Sequence, residues 1–329
     1  MHILTSTQLP QGLTNKIGWP WTEATSQLST ITSSIRSLPR ISIVTPSYNQ
    51  GQFIEETIRS VLFQNYPNLE YIIIDGESKD NSEDIIRKYE NYLSYWVSEP
   101  DKGQTDAINK GFQRSTGEIL AWLNSDDLYC ADALRTVAEV FSRNPKAMVL
   151  SGSCLMVNKE RTILGQKGPS KLDPIHFLKG GDVPGQPAIF FRREVLEQIG
   201  YLDDQLHYVL DWEYWIRIGL KLPKQSIVQT EQVLAEARIW ELAKSPTAGM
   251  KGIDERQRVA DKIFKNTEVP KHLRKIHAIA YSSIYWRRTL SQWQHSEHIP
   301  ALRSFIYSVW LNPHPVINWR RLRRLAVRS

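Results

Sequence analysis

"ISIVTPSYNQGQFIEETIRSVLFQNYPNLEYIIIDG", residues 41–76, decides the fold. "ISIVTP" is a β-branched run closed by Pro46, which reads as a strand. "GQFIEETIRSVLFQ" then sets Phe53, Ile54, Ile58, Val61 and Leu62 at helical spacing. "LEYIIIDG" is a second buried strand, ending on Asp75 and Gly76. Strand, helix, strand in this order predicts a crossover between two parallel strands.

Outward from this unit the alternation continues. "KDNSEDIIRKYENY" reads as a helix, "YWVSEPDKG" as a short strand and loop, "QTDAINKGFQRS" as a helix, "EILAWLN" as a strand and "CADALRTVAEVFSRN" as a helix closed by Pro145. The predicted class is α/β, a mostly parallel, Rossmann-like sheet flanked by helices, with a C-terminal helical extension. Strand runs apolar on both sides fit a sheet covered on both faces. After residue 146 the pattern changes: "AMVLSGSCLMVNKERTIL" predicts a hairpin, residues 173–200 a loop, a strand and a short helix, and "DWEYWIRIGL" another helix. The expected division is an N-terminal extension over 1–39, a catalytic domain over 40–244 (nucleotide-binding half 40–127, acceptor half 128–244) and a basic helical region over 245–329.

In parallel sheets ligands sit outside the carboxyl ends of the strands. Ser47 to Asn49, Asp75 to Ser78, Glu99 to Gly103 and Asn124 to Asp127 all follow strand ends, so they are expected on one rim. Asp126 and Asp127 are adjacent acids fed by the apolar run 119–123. A helix cap explains one acid, and a solvated loop fits poorly with the apolar strand before it. A divalent cation, Mg²⁺ or Mn²⁺, explains both, because a hard cation takes carboxylate oxygens and keeps positions for phosphate oxygens. Asp75-Gly76 offers an acceptor beside a close backbone approach, although a turn explains it as well. "TPSYN" offers hydroxyl, amide and an aromatic face, and "EPDKG" sets Lys102 beside a glycine. Together these describe a site for a nucleoside diphosphate and a metal.

From Ile41 to Arg238 the sequence resembles glycosyltransferase family 2, with the GT-A fold. The likeness is carried by residues 41–82, by "EPDKGQTDAINKG" and by "WLNSDD", which stands where the family has its Asp-x-Asp motif. The resemblance implies that Pro46, Ser47, Tyr48 and Asn49 border the base and ribose. It implies that Asp75, beside Gly76, bonds the base and that Lys102 and Asp106 lie near the diphosphate or the sugar. The motif reads Asn124-Ser125-Asp126 here, so its first acid is an amide, while Asp126 matches the metal position and Asp127 follows it.

"GQPAIFFRREVLEQIGYLDDQLHYVLDWEYWIRIGL" is similar to the family's acceptor block, which places Asp211 as the general base of an inverting transfer, with Glu213 as second candidate. A helix-cap role for Asp211 is the plain alternative. The family often has a His where Trp240 stands, and His207 is the substitute to consider. The Gln-x-x-Arg-Trp motif of processive synthases is absent, which favours transfer of a single sugar. The implied partners are a nucleotide-sugar donor and a saccharide or lipid-linked acceptor, in cell-surface polysaccharide or glycolipid assembly. The rival reading is a non-catalytic sugar-nucleotide binder or scaffold, and no G-x-G-x-x-G follows the first strand to support a dinucleotide oxidoreductase.

Composition bounds the rest. With 329 residues, 41% apolar and 23% charged, the chain is ordinary globular material. Its two cysteines, Cys130 and Cys154, make neither a disulfide framework nor a zinc cluster and favour a reducing compartment. "MHILTSTQLPQGLTNK" lacks the basic start and apolar core of a secretion signal. The expected location is the cytoplasm, with peripheral contact at the inner face of the membrane. That contact is suggested by residues 271–329, which hold eleven Lys and Arg against one acid, Glu297. A helical hairpin packed on the catalytic domain accounts for the region equally well, and nucleic acid is not expected, since no binding motif accompanies the charge.

Overall fold

The computed structural model describes residues 9–10, 16–25, 38–241, 243–266 and 269–314. Most of the 1–39 extension and the basic stretch 315–329 lie outside the described residues. The chain divides into two compact units. One comprises residues 1–171, 184–205 and 221–240; the other comprises 172–183, 206–220 and 241–329. Segments of the expected acceptor half, 128–244, therefore occur in both.

All strands belong to the first unit. Its elements are β1 (Ile41–Ser47), α1 (Ile54–Leu62), β2 (Leu69–Asp75), α2 (Ser82–Lys88), β3 (Tyr95–Ser98), α3 (Gln104–Arg114), β4 (Ile119–Trp122), β5 (Leu128–Tyr129), α4 (Ala133–Arg143), β6 (Val149–Val157), β7 (Ile163–Lys167), β8 (Ile189–Arg192), α6 (Arg193–Ile199) and β9 (Ile227–Arg238). The second unit holds α5 (Pro174–Leu178), α7 (Leu210–Lys221), α8 (Lys244–Thr247), α9 (Gly249–Lys265), α10 (Lys271–Arg274), α11 (His277–Gln294) and α12 (His298–Leu311).

The sheet runs β3-β2-β1-β4-β8-β6-β9-β5, with β7 on β6. Strands β3, β2, β1 and β4 are parallel, as the alternation predicts. Beyond β4 the sheet is mixed: β8 is antiparallel to β4 and β6, whereas β9 is parallel to β6 and antiparallel to β5. The β1 and β2 runs are buried almost throughout, consistent with helices on both faces. Ile54, Ile58, Val61 and Leu62 place the apolar stripe of α1 in the core with Ile41, Ile43 and Tyr71.

β9 and β5 are not legible from the apolar pattern. β9 carries Gln229, Thr230, Glu231 and Gln232 in mid-strand, three of them exposed, and the register of β6 against it shifts around Ser151 to Cys154. Within the first unit, the segment 19–21 of the N-terminal extension is tied to the sheet domain. Trp19 Nε1 donates to the Tyr129 carbonyl at 2.9 Å, and buried Arg59 donates to the carbonyls of Pro20 and Trp21 at 3.2 and 2.7 Å.

Candidate active site

The strand register builds the rim. Ser47 pairs with Asp75 across β1 and β2, and Asp75 pairs with Ser98 across β2 and β3, so two hydroxyls flank one carboxylate. Asp75 is fully buried. Its Oδ1 accepts from Ser47 Oγ at 2.9 Å and Ser78 Oγ at 2.6 Å, and its Oδ2 from the Ser78 N–H at 2.9 Å and Ser98 Oγ at 2.8 Å. Four donors fill the acceptor capacity of a carboxylate. Asp75 thus organises the rim, and a donor from a bound base would take the place of one of these hydroxyls. Ser78 closes the predicted rim segment 75–78, whereas Ser98 carries no motif and escapes a sequence reading.

Pro46 is buried in the strand, while Tyr48 is 58% exposed and presents its ring at the strand end. Asn49 adopts φ 53° and ties the neighbouring loop, accepting from the Lys79 N–H at 2.8 Å and donating its own N–H to Ser78 Oγ at 2.8 Å. Gly76 permits a close approach: a Cβ there would lie 2.6 Å from Asp101 Oδ2. Asp101 in turn accepts from the Gly103 N–H at 2.7 Å, where φ 111° favours glycine. Asp106 reaches back to the Lys102 N–H at 3.1 Å and holds the start of α3, which leaves the exposed Lys102 side chain at the rim.

The acids after β4 are held from three directions. Thr57 Oγ1 donates to the carbonyls of Ser125 and Asp127 at 2.9 and 2.8 Å, fixing the turn from α1. Asn124 accepts from Gln104 Nε2 at 2.6 Å and donates to Asp127 Oδ2 at 3.2 Å and to Gln186 Oε1 at 3.3 Å. Asp127 is buried, and its Oδ1 accepts from the Arg238 N–H at 2.8 Å. Asp126, half-buried, accepts from Trp240 Nε1 at 2.9 Å through Oδ2, and the Trp240 ring meets Phe53 edge-on with centroids 5.1 Å apart.

Charge in this corner is under-neutralised. Burial pushes both carboxyls above the usual carboxylate range, and Asp127 is raised further by Asp126 beside it. The Trp240 indole and the Arg238 guanidinium offset part of the shift on Asp126. Arg238 is itself spent partly elsewhere, donating to Glu56 at 3.0 Å and lying 4.4 Å from the centre of the Phe53 ring. An added cation would relieve the pair. The donor set suits one shared with a ligand: Asp126 takes the Trp240 N–H on Oδ2, both oxygens of Asp127 are engaged, and no cluster of three ligating side chains occurs among the described residues. A Mg²⁺-like ion held by one carboxylate and substrate phosphates needs no protein cage.

Asp211 lies in the second unit, at the start of α7, half-exposed, its Oδ1 accepting from the Trp212 N–H at 2.7 Å. Glu213 grips Arg217 through both oxygens at 2.6 and 2.9 Å. Glu255, which sequence reasoning does not single out, accepts from the N–H groups of His207, Tyr208 and Val209 at 3.0, 2.8 and 3.2 Å and holds the approach to α7. The His207 residue is exposed.

The family model "Glycosyl transferase family 2" matches residues 42–200. An uncharacterized glycosyltransferase of Mycobacterium tuberculosis is 31% identical over 188 residues, covering 56% of this chain and 70% of that protein. The chain belongs to glycosyltransferase family 2. The enzyme is also 36% identical over 121 residues to TuaG of Bacillus subtilis, a glycosyltransferase assigned to teichuronic acid biosynthesis, with 36% of this chain and 48% of TuaG covered. Among solved structures, S. aureus TarS 1-349 in complex with UDP-GlcNAc superposes with TM-score 0.56 at 15% identity, over 82% of this chain and 91% of that one. The mannosyltransferase PcManGT of Pyrobaculum calidifontis, in complex with GDP-Man and Mn²⁺, gives TM-score 0.56 at 18% identity, over 89% and 80%. The glycosyltransferase has the GT-A fold, with helices following it at the C-terminal end.

Proposed function

We propose that the enzyme moves a single sugar from a nucleotide-sugar donor to an acceptor hydroxyl with inversion at the anomeric carbon, in the assembly of a cell-surface polysaccharide or glycolipid. The observation that carries this reading is the rim of β1, β2 and β4. There Asp75 fixes three serines, and Asp126 and Asp127 share an under-neutralised corner. The nucleotide sugars bound by TarS and PcManGT, and the polysaccharide assignment of TuaG, support the donor and product classes.

In this reading Tyr48 stacks on the base, Pro46, Ser47 and Asn49 border the base and ribose, and Asp75 with Gly76 shapes the pocket. Lys102 and Asp106 serve the diphosphate or the sugar, and Asn124 and Ser125 hold the turn that aims Asp126. A divalent cation held by Asp126, with Asp127 behind it, would supply positive charge to the leaving diphosphate. The acceptor oxygen bonds to the anomeric carbon as the bond from that carbon to the phosphate oxygen breaks; the nucleoside diphosphate leaves with the electron pair. Asp211 takes the hydroxyl proton, because the carboxylate of Glu213 is committed to Arg217. One displacement inverts the configuration. The acceptor is a saccharide or lipid-linked chain, and the enzyme works in the cytoplasm, a reading supported by its two free cysteines.

Nuclear magnetic resonance of the purified product tests the stereochemistry. The linkage is expected to have the anomeric configuration opposite to that of the donor. A linkage of the same configuration would contradict the single displacement and the base role of Asp211.

A further inference from the structure

Helix α12, the last among the described residues of the second unit, is inside out for a helix in water. Five large apolar side chains of α12 face solvent: Ile299 is 71% exposed, Leu302 57%, Ile306 59%, Tyr307 55% and Trp310 74%. At ~100° per residue, Ile299, Leu302, Ile306 and Trp310 fall within one arc, and exposed Arg303 lies at its edge. The opposite face is small and polar, and it is the buried one: Ala301, Ser304 and Ser308. That face packs on α11 through hydroxyls. Ser282 Oγ donates to the Ser308 carbonyl at 2.7 Å, Ser308 Oγ donates to the Ser282 carbonyl at 2.8 Å, and Ser304 Oγ donates to Gln292 Oε1 at 2.7 Å.

Small residues and hydroxyls between helices, with large apolar side chains outward, is the arrangement helices adopt against lipid, where outward apolar groups cost nothing. In water the same arc is a penalty that binding must relieve. We propose that α12 is a docking surface for an anionic lipid bilayer, lying in the interface with this arc turned into the acyl region. Its 14 residues span ~21 Å, too short for a ~30 Å hydrocarbon core, so it rests in the surface rather than crossing it. No helix among the described residues is long and apolar enough to cross. Charge selects the lipid: from His298 to Ser329 the sequence has six arginines and no acid, which favours anionic headgroups. Trp310 is the side chain that settles at the headgroup boundary, beside Tyr307, whose ring stacks on Tyr285 of α11 with centroids 5.4 Å apart. A second copy of this chain fits less well, because a stable dimer buries roughly 1,200–2,000 Å² and one face of a short helix falls short of that.

Flotation of the full chain with phosphatidylcholine vesicles, with and without about one third phosphatidylglycerol, tests the surface. The wild type floats with the anionic vesicles, and salt weakens the binding. The double variant Ile306→Glu with Trp310→Glu loses ~10-fold or more of the bound fraction, since two apolar anchors become charges. Trp310→Phe retains most of it. Thermal melting of the variants matches the wild type, because both positions are exposed. Equal flotation of wild type and double variant would overturn the proposal. So would absence of flotation accompanied by a concentration-dependent dimer, seen in sedimentation velocity, that the double variant dissolves.

Discussion

Asp211 and Glu213 stand two residues apart at the start of α7, and their surroundings give them different chemistry. Glu213 is buried and forked onto Arg217, whereas Asp211 is half-exposed and bonds only the N–H of its neighbour Trp212 among the described residues. Asp211→Asn keeps the size and the capping ability but removes the proton acceptor. Its kcat should fall by ~10²- to 10⁴-fold with donor affinity barely changed, measured by steady-state transfer beside donor titration. Glu213→Gln should leave the rate nearly intact and lower the melting temperature instead. Normal transfer by Asp211→Asn with loss in Glu213→Gln would move the base to Glu213. At this scale the acids and the rim residues were legible, because strand ends announce themselves by an apolar run that stops on polar groups. The partners were not. Trp240 reads in the sequence as a missing histidine, yet the indole N–H at 2.9 Å positions Asp126, a contact across 114 residues that no spacing encodes.

The elements follow the same division between local and distant causes. The βαβ units around the rim are readable because each carries its own period: β2, α3 and α4 lie within the predicted segments, and β1 runs one residue past its own, to Ser47. β9 was missed, since its pairing with β6 and β5 sustains a strand whose middle is polar. The short helix α5 lacks a full apolar period, so its sequence predicts a loop. The lead-in to α7 depends on Glu255, buried and 46 to 48 residues away along the chain. Glu255→Ala leaves three N–H groups without their acceptor, and the cost should be about 2–3 kcal/mol, since hydrogen bonds to a charged acceptor are the stronger kind. Glu255→Gln should recover part of that. Denaturant melts of the three proteins decide it: equal midpoints for wild type and Glu255→Ala would mean that α7 forms without this anchor.

At the scale of the molecule, the sheet and its rim lie in one unit, while Asp211 and the amphipathic α12 lie in the other. The alternation of strands and helices was enough to expect the first, and the basic composition pointed to a helical C-terminal region without revealing which face of α12 is buried. That face depends on hydroxyl pairing with α11, which period and charge do not record. The central claim is that the strand-end rim binds a nucleotide sugar and that Asp126 is needed to turn it over. The direct measurement is release of nucleoside diphosphate from a panel of sugar nucleotides, by wild type and Asp126→Ala, in Mn²⁺ and in chelator. The account predicts that wild type turns over one donor class in Mn²⁺ and loses most of that rate in chelator, while Asp126→Ala is inactive in both with its melting temperature retained. Full activity of Asp126→Ala, or a wild-type rate untouched by chelator, would contradict it.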